Sequence, residues 1–188
     1  MTVLLVRHAS TAWSGARYSG TGDPPLDERG RRQLPQIAAD VRQALGGHIG
    51  AAVVCSPSLR ARETADAIAA ALGAGAPRAD PDWREADFGE VEGLTWDELE
   101  ARFPEIAARI LDRAGVDWPG GEPHAAFAAR VQRAWSRTVA AAPAVPIVIV
   151  AHTGSLRLAA SLAGTSIDAL APGEVVRVAL DPGEDGRS

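Results

Sequence analysis

Four basic or nucleophilic side chains follow apolar runs of strand length. Arg7 and His8 end the first run, Arg60 comes in the first helical turn after the second, and His152 comes directly after the third. Open α/β sheets bind ligands outside the carboxyl ends of their strands, so these side chains could share one crevice. Guanidinium groups bind phosphate or carboxylate oxygens, and a neutral imidazole nitrogen is a competent nucleophile. Taken singly, each residue could equally be a solvated surface group.

A carboxylate with apolar neighbours supplies a further candidate. Glu85 stands in a segment, 83–89, that mixes acidic and aromatic residues. Burial there would raise its pKa enough for Glu85 to act as an acid near neutral pH. Partial burial without chemistry, or a helix cap, would explain this residue equally well. His48 lies in a glycine-rich turn and His124 near a helix start, where we expect surface roles.

Strands and helices alternate in the first half of the chain, and these elements must position the candidate residues. Asp27 is a typical N-cap for the first helix, and Pro35 within that helix predicts a kink or a division into two pieces. Apolar periodicity predicts a strand from residue 3, a helix at 28–45, a strand at 51–56, a helix ending near 72 and a short strand at 78–82.

In the second half the pattern changes between about 90 and 121. Thr95 caps one short helix there and Pro104 begins another, which predicts a helical insertion. The segments that follow predict a helix at 122–142, a strand at 147–151, a helix at 155–162 and a final strand at 175–180. This order predicts an α/β fold, namely a three-layer sandwich with a mostly parallel central sheet, helices on both faces and a small helical insertion over the active site.

Composition excludes several classes of function. The 188 residues carry a net charge of −5 without a basic tract, so we expect no nucleic-acid partner. No apolar stretch reaches the roughly 20 residues of a membrane span, and Met1 leads straight into a strand, so we expect a cytoplasmic protein without membrane contact. Cys55 is the single cysteine, which excludes internal disulfides and thiolate metal sites. The length predicts one domain over 1–188, with the insertion at about 90–121.

Six segments occur in an order that is known from one family. They read LLVRHAST, DPPLDERG, SPSLRARETA, READFGEVEG, PGGEP and IVIVAHTG. From Val3 to about Leu162 the chain thereby resembles the histidine phosphatase superfamily of phosphoglycerate mutase-like proteins, whose members include phosphoglycerate mutases and many small phosphatases. Within this superfamily it resembles the α-ribazole phosphatase-like branch of phosphatases. The resemblance implies a metal-independent histidine phosphatase whose partner is a small-molecule phosphomonoester.

The resemblance also implies a role for each candidate. His8 resembles the nucleophile that becomes phosphohistidine, and Glu85 resembles the acid that protonates the leaving oxygen. Arg7, Arg60 and His152 resemble the clamp on the phosphoryl oxygens, where phosphoryl transfer concentrates its charge. Because these groups supply the charge and no cluster of metal ligands accompanies them, we expect no metal and no organic cofactor.

Further residues are carried over from the same family as substrate-binding residues. They are Ser14, Arg17 and Ser19 in the loop after the first strand, and Thr153 after the last histidine. The hydroxyl groups of Ser14 and Thr153 can donate to phosphate. Ala9 stands where the family usually has glycine, so we expect its methyl group to crowd the phosphate pocket slightly while its backbone N–H stays available.

Two other functions stay open. A phosphoglycerate mutase-type phosphotransferase would return the phosphoryl group to a bound phosphoglycerate, but the chain has no lysine and only scattered arginines in the insertion. A non-catalytic protein that binds phosphorylated ligands is the other alternative. Trp96, Phe103 and Trp118 lie in the insertion, where each by itself is expected to pack in the core. If even one of them faces the crevice, it offers an apolar wall without positive charge, which favours a bulky uncharged leaving group over phosphoglycerate.

Overall fold

A five-stranded sheet forms the centre of the computed structural model, which describes residues 1–47, 50–112, 114–141 and 145–179. The strands are β1 (Thr2–Arg7), β2 (Ala52–Cys55), β3 (Arg78–Ala79), β4 (Ile147–Ala151) and β5 (Val175–Ala179). They lie in the order β3-β2-β4-β1-β5, and only β5 is antiparallel to its neighbour. The predicted, mostly parallel sheet is confirmed. His48, Ala142 and Leu180, which the sequence analysis placed in a turn, a helix and a strand, lie outside the described residues.

Helices cover both faces of this sheet. Those in the described residues are α1 (Glu28–Ala44), α2 (Leu59–Leu72), α3 (Trp96–Arg102), α4 (Pro104–Leu111), α5 (His124–Ala141) and α6 (Thr153–Leu162). On β1, Val3 and Leu5 pack with residues of α5 and α6, whereas Leu4 and Val6 pack with residues of α1 and α2. Alternate side chains of a strand point to opposite faces, so the three-layer sandwich is confirmed. None of the helices in these ranges is long and apolar enough to cross a membrane.

The first helix forms as one piece in spite of its proline. Asp27 caps it, because Asp27 Oδ1 accepts a hydrogen bond from the Gly30 N–H at 2.6 Å. Pro35 lies within the continuous α1, so the predicted division into two pieces is wrong. Proline removes a single backbone donor, and burial of Ile37 and Val41 against the sheet stabilises the helix beyond it.

The insertion has a small apolar core of its own. A 3₁₀ turn at Gly89–Val91 leads into α3 and α4. Thr95 begins α3 with a capping box, in which the Thr95 side chain and the Glu98 side chain each bind the other residue's N–H. The buried residues of this core are Val91, Leu99, Ile106, Ala107 and Val116. The insertion therefore packs around a core of its own, separate from the two cores on the faces of the sheet.

Candidate active site

A cavity of about 210 Å³ lies where β1 and β4 end, beside the start of α6. The two strands are parallel neighbours in the sheet, with Arg7 opposite Ala151, so the residues that follow them lie side by side. The predicted residues that line this cavity are Arg7, His8, Glu85 and His152, together with Ser14, Arg17, Ser19 and Thr153. Candidates from distant parts of the sequence are therefore brought together, and Arg60 lies directly behind the cavity wall.

The two ring nitrogens of His8 lie in different environments. Nδ1 is 2.7 Å from the carbonyl oxygen of Ala9, which can only accept a hydrogen bond, so Nδ1 carries the proton. Nε2 keeps its lone pair and accepts from Arg60 Nε at 3.3 Å. Burial, followed by the positive charge of Arg60, lowers the pKa of His8 to about 3. The imidazole is therefore neutral near pH 7, which is the nucleophilic state.

His152 meets His8 edge-on, with ring centroids 5.2 Å apart. Its Nδ1 accepts from Arg60 Nη2 at 3.3 Å, and its Nε2 lies 2.8 Å from Ser56 Oγ. Because a guanidinium can only donate, the proton of His152 is on Nε2 and is donated to Ser56. Burial, followed by the charge of Arg60, lowers the pKa of His152 well below its ordinary value. His152 is thus a second neutral imidazole, held on both sides.

Arg60 connects the two histidines and is only 1% exposed. Its guanidinium also donates to backbone carbonyls in the loop 19–22 and forms a 3.1 Å ion pair with Asp23. A buried charge is tolerated only with such a set of partners. The alternative that Arg60 is a solvated helix residue is therefore wrong. The side chain is buried because α2 begins at the carboxyl end of β2 and directs it inward.

Two buried polar atoms in the cavity wall have no hydrogen-bond partner within the described residues. They are Arg7 Nε and Thr153 Oγ1. The other end of the Arg7 side chain is fixed, because Nη1 donates to the carbonyl oxygen of Leu170. Buried polar atoms without partners cost free energy, so their presence at one place indicates a site for an anionic ligand. The N-terminus of α6 faces the same cavity and also favours an anion.

Glu85 is held as a buried carboxyl group at the edge of the cavity. Its two oxygens accept from the N–H groups of Ala86 at 3.1 Å and Gly154 at 2.9 Å. Burial raises the pKa of Glu85 in spite of these hydrogen bonds and the nearby arginines. A buried arginine, Arg130, donates to the Glu85 carbonyl at 2.8 Å and pairs with Glu122 at 2.7 Å, which fixes the backbone. The raised pKa suits a group that must donate a proton near neutral pH.

Glu92 is a residue that the sequence analysis did not single out. Its carboxylate accepts from the backbone N–H groups of Gly20, Thr21 and Gly22 at distances between 2.9 and 3.3 Å. Since the same loop supplies the carbonyl partners of Arg60, Glu92 connects the insertion to the guanidinium behind the cavity. The acidic residue is visible in the segment READFGEVEG, but no local pattern shows which distant N–H groups it binds.

Ala9 does not lie where the sequence analysis expected it. Its N–H donates to Thr64 Oγ1 at 3.1 Å, and its buried methyl group packs in the core on the α1 and α2 side of the sheet. The expectation that this N–H stays available is therefore wrong. The expected crowding of the phosphate pocket is also wrong, because the Ala9 side chain is buried in that core and does not line the cavity.

A second cavity, of about 580 Å³, adjoins the first and shares part of its wall. The shared residues are Tyr18, Glu85, Phe88 and Thr153. Glu85 therefore stands between a small polar cavity that contains the candidate nucleophile and a larger cavity built from the insertion, α5 and α6.

The wall of the second cavity differs in its charge from the wall that the sequence analysis predicted. Trp118 lines this cavity, so one of the three aromatic residues does face the crevice, and Trp96 and Phe103 pack against the core of the insertion, as expected for any single one of them. Arg157 of α6 also lines it, so the expectation of a wall without positive charge is wrong. That expectation considered only the insertion, whereas α6 supplies the cation. His124, for which only a surface role was expected, also faces this cavity at the start of α5.

A sequence profile of the histidine phosphatase superfamily (branch 1) matches residues 3–182. The chain belongs to this superfamily, and the resemblance inferred from the six segments is confirmed.

Individual relatives include both a phosphatase and a mutase. The bifunctional protein Rv2228c of Mycobacterium tuberculosis is 38% identical over 162 residues, which are 86% of this chain but only 43% of that protein. The structure of the mycobacterial glucosyl-3-phosphoglycerate phosphatase Rv2419c with VO3 is 28% identical, with a TM-score of 0.79 over 94% of this chain and 91% of that one. The phosphoglycerate mutase of Thermus thermophilus is 30% identical, with a TM-score of 0.72 over 96% and 100%. These likenesses support an enzyme of the phosphatase or mutase type.

Proposed function

We propose that this chain is a phosphomonoesterase that forms a phosphohistidine at His8. The observation that best supports the proposal is the state of the His8 ring. It is buried and neutral, its proton is fixed on Nδ1, and its Nε2 lone pair lies beside the guanidinium of Arg60. A neutral nucleophile next to fixed positive charge is what attack on an anionic phosphoryl group requires.

In the first step, His8 Nε2 forms a bond to phosphorus while the bond from phosphorus to the ester oxygen breaks. Glu85 gives its proton to that oxygen, so the leaving group departs as an alcohol. Arg7, Arg60 and the Thr153 hydroxyl bind the phosphoryl oxygens, with Arg60 moving its Nε hydrogen bond from His8 to oxygen. Stabilising charge on these oxygens is the main contribution a protein makes to phosphoryl transfer.

In the second step, water attacks phosphorus and gives a proton to the Glu85 carboxylate as the phosphorus–nitrogen bond breaks. The products are inorganic phosphate, free His8 and protonated Glu85, so the enzyme returns to its starting state. His152 belongs to the proposed clamp with one condition. Both its ring nitrogens have partners, Arg60 and Ser56, so a phosphoryl oxygen must replace one of these contacts.

We prefer hydrolysis over a mutase reaction because the chain has no lysine and no basic residue of the described insertion lines either cavity; the cation on the wall of the larger cavity, Arg157, stands on α6 instead. The test is to measure phosphate release from a bulky alkyl phosphomonoester and from 3-phosphoglycerate, and the interconversion of 2- and 3-phosphoglycerate. We expect kcat/KM for the bulky ester to be higher by at least about tenfold. Interconversion of the two phosphoglycerates would contradict the proposal and favour the mutase. Binding of phosphate esters without any turnover would favour the non-catalytic alternative.

We propose a small-molecule phosphomonoester as partner, with no nucleic acid, no membrane, no metal and no organic cofactor. We also propose a cytoplasmic location and one domain over 1–188 with the insertion at about 90–121. Unchanged phosphate release in excess EDTA is the expected result for the metal-free reaction, and a loss that an added divalent metal restores would contradict it.

A further inference from the structure

The second cavity adjoins the first at Glu85 and offers space for a leaving group. In an in-line displacement, the leaving oxygen is opposite the attacking nitrogen, and the proton donor must be within hydrogen-bond reach of it. Glu85, the proposed donor, lines both cavities. An ester oxygen at Glu85 therefore has its phosphoryl group in the first cavity and its alcohol part in the second.

The size and walls of the second cavity limit what that alcohol part can be. A volume of about 580 Å³ exceeds what a small alcohol fills and lies within the roughly 300–1,000 Å³ range of sites for larger ligands. Much of its wall is apolar, with side chains contributed by Ile110, Val116, Trp118, Phe127, Leu158 and Ile167. A ring-sized apolar group would bury its surface here, and a small polar one would not.

One unpaired cation stands on this wall. The guanidinium of Arg157 makes no hydrogen bond or ion pair with any other part of the described chain, and Glu85 is the one carboxylate that lines the same cavity. Arg157 follows Thr153 by four residues on α6, so the two lie on one helix face, separated by a rise of about 6 Å. A guanidinium in that position is suited to a carboxylate, which it can bind through two parallel hydrogen bonds.

We infer that the substrate is a phosphomonoester of an alcohol with a ring-sized apolar body and a carboxylate at its far end. Arg157 binds the carboxylate, the apolar wall covers the ring, and the phosphoryl group lies at His8. This inference rests on the proposed phosphomonoesterase function and adds the class of leaving group.

The test compares three esters of similar alcohols, namely ethyl phosphate, benzyl phosphate and 4-carboxybenzyl phosphate. For the unchanged protein we expect kcat/KM to rise by about tenfold or more at each step of this series, as a well-matched pocket gives. Arg157→Gln should reduce the ratio of the carboxybenzyl to the benzyl ester to about one, since its amide carries no charge. Arg29→Gln is the matched control, because Arg29 is exposed on α1 and lines neither cavity.

A second variant tests the cavity itself. Ser161 is exposed on α6 and lines the second cavity, so Ser161→Trp would fill that space with little effect on folding. It should reduce the ratio of the benzyl to the ethyl ester, whereas Ala71→Trp, on an exposed position of α2, should not.

The outcomes separate the inference from the function on which it rests. Equal hydrolysis of all three esters, or ratios that neither variant changes, would overturn the inference and leave the phosphomonoesterase function intact. No hydrolysis of any ester by the unchanged protein would overturn the proposed function as well.

Discussion

The two cavities that meet at Glu85 are built in different ways. In the first, side chains at and just beyond the strand ends form a continuous hydrogen-bond network, in which Arg60 of α2 binds His8, His152 and Asp23. In the second, the wall comes from helices and the insertion, and its one guanidinium, that of Arg157, has no partner in the described residues. If the proposed function is right, residues at the strand ends and beside them perform the chemistry, and the wall of the second cavity selects the leaving group.

The largest effect should come from the residue that both cavities share. Glu85→Gln removes the proposed proton donor, so we expect hydrolysis of alkyl phosphates to slow by roughly 10²–10⁴-fold. An ester with a good phenolic leaving group needs less protonation and should lose less. Steady-state rates for an alkyl and an aryl phosphate measure this difference. Equal losses for both esters would mean that Glu85 only supports the structure.

The buried histidines of the first cavity should make stability depend on pH. Below its ordinary pKa of 6.5, His8 binds a proton in the unfolded chain, whereas the folded chain holds its pKa at about 3. The free energy of unfolding should therefore fall as the pH drops from 6.5 towards 3, with His8 contributing at most about 1.4 kcal/mol per pH unit. His8→Gln should show a shallower fall in urea unfolding across this range. Parallel curves for the two proteins would contradict the buried, neutral ring.

The link between the insertion and the first cavity should have a smaller effect. Glu92→Gln keeps the shape of the side chain but removes the charge that holds the loop 20–22, on which Arg60 depends. We expect kcat/KM to fall roughly tenfold, or about 1.4 kcal/mol, which is close to the lower end of the roughly 1.5–3 kcal/mol of a hydrogen bond to a charged group. Glu100→Gln, on an exposed position of α3, serves as the control. If both variants behave alike, the loop does not need Glu92.

The smallest effect should come from Thr153 in the first cavity, where we expect the rate and the free energy of unfolding to change in opposite directions. Thr153→Val removes a buried hydroxyl that has no partner in the described structure. We expect the free energy of unfolding to rise by about 1 kcal/mol, because an unsatisfied polar atom is lost, and kcat/KM to fall by roughly 2–12-fold, because a hydrogen bond to phosphate is lost. Thr153→Ser should keep the rate. Lower stability with an unchanged rate would show that the hydroxyl has a structural role instead.

Local patterns were sufficient to predict most of the fold. The apolar runs that became β1 and β4, the Asp27 cap and the Thr95 cap all act within a few residues, so the sequence shows them directly. The local cost of Pro35 alone predicts a break in the helix, but packing of α1 against the sheet outweighs that cost and the helix stays in one piece. The antiparallel pairing of β5 with β1 and the burial of Arg60 likewise depend on residues that are distant in the sequence.

The same distinction holds for the candidate site. His8, Arg7 and His152 could be placed together because parallel strands put their carboxyl ends at one edge. The sequence does not predict the contacts of Glu92 or the position of Arg157, because each depends on how a loop or a helix packs across the site.

The central claim is that His8 Nε2 carries the phosphoryl group during turnover. The direct measurement is to mix the protein with a radiolabelled phosphomonoester, quench within milliseconds in alkali, where phosphohistidine survives, and locate the label by peptide mapping. We expect label on the peptide that contains His8, and none on the same peptide from His8→Ala. Label that persists in His8→Ala, or phosphate release by that variant at the rate of the unchanged protein, would contradict it.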